Sequence, residues 1–202
     1  MSQDLARPTD KTVNQAATDK TRIPGEPGIW FFVAGDLIVF SVFFVLIAIG
    51  NRDQADIFAQ SRASLDLWIG VVNTLLLLTG SWFVAKGIEK CRRGTSFRVQ
   101  HYFSLAILSG LCFIGNKIYE WSSKISDGLS PASNDFYMYF FIFTGIHLLH
   151  VVVGLGVLLL VRSASKRHPL TKNDMRTLES GATFWHLVDL LWIVLFALLY
   201  LL

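Results

Sequence analysis

The chain ends in the apolar stretch TFWHLVDLLWIVLFALLYLL, residues 183–202, and the interpretation of the whole sequence starts there. About 20 residues of helix cover the roughly 30 Å hydrocarbon core of a bilayer, so this stretch predicts a transmembrane helix. It nevertheless contains His186 and Asp189. Ionisable groups at membrane depth cost a few kcal/mol each, so we expect other parts of the chain to supply their partners.

Four further apolar segments precede the last one. The five segments cover about residues 29–50, 67–85, 102–121, 136–161 and 183–202. Of all residues 52% are hydrophobic and 16% are charged, whereas about a quarter of a soluble domain is charged. The composition therefore predicts an all-α fold, a polytopic membrane bundle of five transmembrane helices built by residues 27–202. Residues 1–26 are polar and are expected to form a disordered cytoplasmic tail.

The positively charged residues indicate how these helices are oriented. Most of them lie in the tail, between the second and third segments, or between the fourth and fifth: Arg7, Lys11, Lys20, Arg22, Lys86, Lys90, Arg92, Arg93, Arg98, Arg162, Lys166, Arg167, Lys172 and Arg176. The opposite loops contain only Arg52, Arg62 and Lys124. Lysine and arginine accumulate in cytoplasmic loops, so the pattern predicts a multi-pass protein of the bacterial inner membrane with a cytoplasmic N-terminus and a periplasmic C-terminus. Topology also explains the net charge of +3 without a nucleic-acid partner.

Several ionisable residues are expected at similar depths near the cytoplasmic side. Asp36 lies about 10 Å along the first helix, and Asp189 enters the last helix from the same side to a similar depth. The fourth helix runs in the opposite direction and carries two histidines. The sequence therefore predicts a buried polar cluster that draws on Asp36, His147, His150, Glu179, His186 and Asp189.

Three interpretations of this cluster remain open. The spacings His147-x-x-His150 and His186-x-x-Asp189 are compatible with metal ligation, although such pairs are common by chance. Buried carboxylates beside a histidine could also handle protons, because their environment shifts their titration. Alternatively, the residues could hold the helices together through hydrogen bonds and perform no chemistry. Of these, the sequence favours proton handling or a structural role, and no metal site is predicted.

Lys117 and Glu120 lie near the outer end of the third helix. Residues three apart are neighbours on a helix surface, so the two side chains are expected to form an ion pair. The two cysteines, Cys91 and Cys112, form no CxxC motif and are expected to be reduced thiols.

Together, several motifs resemble the subunit III family of haem–copper oxidases. TGIHLLHV at residues 144–151 and FWHLVDLLWIVLF at 184–196 are similar to the two signature stretches of that family. Glu179 precedes the second stretch as the family's glutamate does, and Asp36 occupies the place of a family carboxylate. The motifs Asn73-Thr74-Leu75 and Tyr119-Glu120-Trp121 also resemble family patterns. PGEPGIWFF and NTLLLLTGSWFVA look most like the five-helix accessory branch associated with nitric oxide reductase.

The resemblance implies a non-catalytic role in respiratory electron transport. Subunit III carries no redox centre, so the resemblance implies no cofactor of this chain's own beyond bound phospholipid. Haem and copper would belong to the catalytic subunit of a haem–copper oxidase or nitric oxide reductase, the implied partner. Within such a complex, the chain would support assembly, lipid binding, proton uptake and stability during turnover.

The resemblance also suggests lipid-binding residues, because family members hold phospholipid head groups with basic and aromatic side chains. The candidates at the cytoplasmic interface are Arg98, His101 and Trp185. Cations at that surface attract anionic lipids. The alternative from another class is a stand-alone transporter or channel that uses Asp36, His186 and Asp189 as its ion site. The sequence shows no inverted repeat or broken helix, which argues against that alternative.

Overall fold

A computed structural model describes residues 26–94, 99–166 and 170–202 and confirms the all-α fold with five long apolar helices. The elements are α1 (Pro27–Asp53), α2 (Ala55–Ala63), α3 (Leu67–Arg92), α4 (Val99–Ser126), α5 (Asp135–Ala164) and α6 (Lys172–Phe196). A π-helical turn, Ala197–Leu201, continues α6 to the end of the chain. The predicted tail, residues 1–26, lies outside the described residues except for Glu26.

Each apolar segment extends into a longer helix than hydropathy indicated, and α6 changes most. It begins at Lys172 rather than at residue 183, because Thr171 and Asp174 form a capping box. The Asp174 amide donates to Thr171 Oγ1 over 3.1 Å, and the Thr171 amide donates to the Asp174 carboxylate over 3.0 Å. This reciprocal pair satisfies two of the amides that a helix start leaves unbonded. The first turns of α6 are therefore polar, and the apolar part of the helix follows them.

The short helix α2 was not predicted. It connects α1 to α3 and packs on α5 through Phe58, whose ring meets Phe136 edge-to-face at 5.4 Å. Asp66 then caps the start of α3, where its carboxylate accepts a hydrogen bond from the amide of Trp68 over 2.9 Å. Capping residues of this type satisfy the free amides of a helix start.

Helices α3, α4, α5 and α6 pack around a common core, and α1 lies against α5 and α6 at the edge. Trp185 is fully buried between α4 and α5, where a Cβ atom on Gly110 would come within 2.9 Å of its ring and one on Gly154 within 3.1 Å. Glycine at these two positions allows the close helix approach that encloses the indole. By contrast, α1 buries only 11% of its most apolar stretch, against 56% for α6. The edge position of α1 determines which polar residues it can reach.

Candidate functional site: polar groups among the helices

The six residues expected in one buried cluster lie instead in four separate places. Two belong to an α1–α5 pair, two to an α3–α6 group, one to the α3–α6 ion pair at the start of α6, and one to the aromatic core. The expectation of a single cluster is therefore corrected. Depth alone suggested it, but residues three apart on a helix also differ by about 60° around the axis, and so they face different neighbours.

Asp36 of α1 meets His150 of α5. The distance from Asp36 Oδ1 to His150 Nε2 is 3.2 Å, and His150 Nδ1 lies 2.8 Å from the carbonyl oxygen of Ile146. A carbonyl only accepts, so Nδ1 carries a proton. An ionised carboxylate also only accepts, so the contact with Nε2 requires one further proton, held by the ring or by Asp36. The geometry therefore describes a hydrogen-bonded carboxyl–imidazole pair between α1 and α5.

His186 and Asp189 of α6 turn towards α3. His186 Nδ1 forms a short hydrogen bond with Ser81 Oγ. Asp189 is buried, and within the described residues neither of its carboxylate oxygens has a hydrogen-bond partner. Ser81 lies close to Asp189 as well, but outside hydrogen-bond geometry. We call Ser81, His186 and Asp189 the His186 group.

His147 is fully buried in the core of the bundle. Its ring lies 5.3 Å from that of Trp192 and meets Phe113 edge-to-face at 5.7 Å. Neither ring nitrogen has a hydrogen-bond partner among the residues that the structure describes. In this position His147 packs as an aromatic side chain would.

Glu179 lies in the polar first third of α6 and pairs with Arg92 at the end of α3. Arg92 Nη2 donates to Glu179 Oε1 over 2.9 Å, and Arg92 Nε donates to the same oxygen over 3.2 Å. The Arg92 side chain is 55% exposed. The pair therefore lies at the surface of the bundle.

Lys117 and Glu120 of α4 belong to a three-residue network that we call the triad. Lys117 Nζ donates to Glu120 Oε2 over 2.7 Å and to the hydroxyl oxygen of Tyr200 over 3.0 Å. The Tyr200 hydroxyl donates to Glu120 Oε1 over 2.6 Å, which closes the network. All three side chains are buried, and the ammonium group lies 4.5 Å from the ring centre of Phe140, a favourable cation–π distance.

Sequence reasoning missed Tyr200, Ser81 and several further interhelical contacts, two of which follow. Asn116 Nδ2 donates to Asn73 Oδ1 over 3.1 Å, and Trp192 Nε1 donates to Thr74 Oγ1 over 3.1 Å. In an up-and-down order of five spans, α4 and α6 run in the same direction, so the end of α6 is expected near the end of α4, and the position of Tyr200 was a usable signal. The contacts of Asn73 and Thr74 depend on how α3 is rotated about its axis, and the sequence contains no signal for that rotation.

The three lipid-binding candidates have different outcomes. Arg98 lies outside the described residues. His101 is exposed in the first turn of α4. The expectation for Trp185 is corrected, because its ring is fully buried between Gly110 and Gly154, where no lipid head group can reach it.

The described residues contain no group of three or more histidine, cysteine, aspartate or glutamate side chains placed to hold a metal ion. The stand-alone transporter hypothesis required Asp36, His186 and Asp189 in one site. The structure assigns Asp36 to His150 and His186 to Ser81, so this hypothesis is not favoured.

Comparison with known proteins places these features in a family. Residues 62–202 match the model of the family described as cytochrome c oxidase subunit III. The chain belongs to the cytochrome c oxidase subunit III family. The match covers α3 to α6, with the triad, the His186 group and both α5 histidines. Asp36 on α1 lies before the matched residues.

Full-length relatives extend the subunit III match to the first helix. The chain is 27% identical over 212 residues to the cytochrome c oxidase subunit 3 of Synechocystis sp., covering 98% of this chain and 89% of that protein. It is 29% identical over 181 residues to the cytochrome bo(3) ubiquinol oxidase subunit 3 of Pseudomonas putida, covering 87% and 84%. The quinol oxidase subunit 3 of Bacillus spizizenii is 26% identical over 175 residues, covering 86% and 85%. Family membership therefore implies association with a catalytic haem–copper oxidase subunit.

Proposed function

We propose that the chain is the non-catalytic third subunit of a respiratory haem–copper complex, where it supports assembly, lipid binding, proton uptake and stability during turnover. The observation that carries the proposal is the subunit III match over residues 62–202. The relatives described above are subunits of quinol and cytochrome c oxidases. In this proposal haem and copper belong to the catalytic partner.

The test is purification of an affinity-tagged chain in mild detergent from its own membranes. Haem absorbance and a larger subunit should co-purify with the tag. The control is the same chain with its last helix, residues 172–202, replaced by an unrelated transmembrane helix. Purification of the intact chain without haem, from membranes that contain active oxidase, would refute the proposal.

The partner could reduce oxygen or nitric oxide. The stretches PGEPGIWFF and NTLLLLTGSWFVA favour the branch associated with nitric oxide reductase. The purified complex should then consume nitric oxide with a suitable electron donor. Consumption of oxygen alone would assign the chain to a terminal oxidase.

The proton-uptake role is supported by the Asp36–His150 pair. Its two side chains lie within hydrogen-bond distance, 3.2 Å, and are 12% and 17% exposed. A carboxyl group and an imidazole within hydrogen-bond reach can pass a proton from one to the other. In Asp36→Asn the shape is kept and the exchangeable carboxyl proton is removed. The complex should assemble normally and lose activity faster during turnover, whereas unchanged turnover would leave the pair with a structural role only.

A lipid role is supported by a groove between the start of α1 and helices α5 and α6. The groove has a volume of about 360 Å³ and is lined by Ile29, Phe32, Val153, Val157, Leu160 and Phe184. Glu26, Thr177 and Ser180 lie at its polar end, where the Glu26 amide donates to Ser180 Oγ over 2.9 Å. An acyl chain suits the apolar wall, and a phospholipid head group suits the polar end.

The membrane orientation is also proposed, with a cytoplasmic N-terminus in the bacterial inner membrane. The excess of basic residues on one side motivates it. Alkaline phosphatase fused after Gly50 or at Leu202 should be active, and the same reporter fused after Arg93 should be silent. Alkaline phosphatase activity after Arg93 would refute the proposed orientation.

A further inference from the structure

The outer surface formed by α3 and α6 carries an interhelical polar pair within its apolar length. Within the apolar length of α6, His186 is exposed, and its partner Ser81 on α3 is partly exposed. Three exposed apolar residues lie within one or two turns of the pair on the same helices: Leu78, Leu190 and Ile193. We call the surface made by these five residues the α3–α6 face.

The α5 surface provides the contrast. Between residues 142 and 160, the exposed residues of α5 are all apolar: Ile142, Leu149, Val152, Val153, Gly156, Leu159 and Leu160. Such a surface is suited to lipid tails. A polar side chain on a lipid-facing surface is costly, because hydrocarbon offers it no hydrogen bond.

The hydrogen bonding of the His186 group is incomplete. Only Nδ1 of the ring is bonded, to Ser81, and Nε2 has no hydrogen-bond partner in the part of the chain that the structure describes. One turn further along, both oxygens of buried Asp189 also have none there. Because Asp189 is buried, only the exposed ring of His186 can receive a polar group from outside the chain, and its Nε2 has hydrogen-bonding capacity to do so.

We propose that the α3–α6 face is where a transmembrane helix of the catalytic subunit docks, with a hydroxyl or amide side chain that hydrogen-bonds His186 Nε2. This inference rests on the proposed function and names the surface that performs it. The Ser81 hydroxyl can donate or accept, so Nε2 can take either role. Hydroxyl and amide groups serve both roles, and they are the usual side chains that bond across membrane helices. Leu78, Leu190 and Ile193 supply the apolar packing around that bond.

The docking surface is tested with a photo-crosslinking amino acid in the full complex in native membranes. It is introduced at Leu190 on the α3–α6 face and, as the matched control, at Leu149 on α5. The Leu190 variant should form an adduct with the haem-bearing subunit, and the Leu149 variant should not. If haem still co-purifies but Leu190 yields only lipid adducts, the inference is wrong and the proposed function stands. An adduct between two copies of this chain would also overturn it.

The hydrogen bond is tested separately with His186→Leu and with His186→Gln, which keeps a polar group. Cys112→Leu, on the exposed side of α4, is the apolar control. If His186 faced lipid, leucine would retain the partner as well as histidine does. We expect His186→Leu to lower the haem retained per chain about threefold, as for the loss of one hydrogen bond between membrane helices. His186→Gln and Cys112→Leu should retain most of it.

Circular dichroism of each purified variant keeps the two proposals distinguishable. An unchanged helical signal with reduced haem assigns the loss to docking. Full haem retention by a folded His186→Leu variant would overturn the inference and leave subunit membership intact. Absence of haem from the unsubstituted chain would refute the proposed function, and the inference with it.

Discussion

The triad and the His186 group are both made of ionisable residues inside the apolar bundle, yet they differ in how completely they are bonded. In the triad, Lys117 donates to Tyr200 and to Glu120, Tyr200 donates to Glu120, and both carboxylate oxygens accept a hydrogen bond. In the His186 group, Asp189 has no hydrogen-bond partner within the described chain. A satisfied buried network is self-sufficient, whereas an unsatisfied group is destabilising until something else completes it. The triad therefore stabilises the chain itself, and the His186 group is suited to contacts beyond it.

The largest effect is expected from breaking the triad with Glu120→Gln. This change leaves the Lys117 ammonium buried without its counter-charge, which costs about 3–5 kcal/mol in buried ion pairs. The free energy of unfolding in detergent, followed by circular dichroism, should fall by that amount. The double variant Lys117→Met/Glu120→Leu removes both charges and should recover much of the loss. If Glu120→Gln were as stable as the unsubstituted chain, the ion pair would contribute little to stability.

Tyr200→Phe removes one member of the triad and leaves the ion pair in place. The ring and its packing are kept, and the direct bond from Lys117 to Glu120 remains, so the net loss corresponds to about one hydrogen bond to a charged group, roughly 1.5–3 kcal/mol. We expect a decrease in the free energy of unfolding within that range and smaller than for Glu120→Gln. Tyr119→Phe, an exposed tyrosine on α4, is the control and should change little.

Asp189→Leu should have the opposite sign in the isolated chain. An unsatisfied buried polar group costs about 1–3 kcal/mol, and an apolar residue of similar size removes that cost. The free energy of unfolding should therefore rise, even where the complex loses activity. Thermal unfolding of the isolated chain in detergent measures it. If Asp189→Leu lowered the free energy of unfolding, the proposed difference in hydrogen bonding between the triad and the His186 group would be wrong.

The smallest effect is expected at the Arg92–Glu179 pair, where Arg92 is half-exposed. Surface ion pairs contribute about 0–1 kcal/mol and weaken in salt. Arg92→Ala should therefore lower the free energy of unfolding by less than about 1 kcal/mol, and the difference should shrink at high ionic strength. A loss as large as that of Glu120→Gln would mean that this surface pair is coupled to the core.

Local features were predictable because they depend on short stretches of sequence. Lys117 and Glu120 are three apart on one helix, so helical periodicity brings them together in any packing arrangement. The early start of α6 was also readable, since Thr171 and Asp174 have the spacing of a capping box. The burial of Trp185 could not be predicted from the sequence, because an indole near a helix start can face either lipid or protein.

The sequence by itself determined the five apolar helices and their antiparallel order, because a run of about 20 apolar residues must hydrogen-bond its own backbone in a membrane. It also determined which ionisable residues lie at similar depths, since the rise per residue of a helix is constant. Only the tertiary structure decided which of them meet. The rotation of α6 points His186 and Asp189 towards α3, and the edge position of α1 leaves Asp36 with His150. Rotation and neighbourhood follow from how the core side chains of all the helices fit together, and no single segment contains that information.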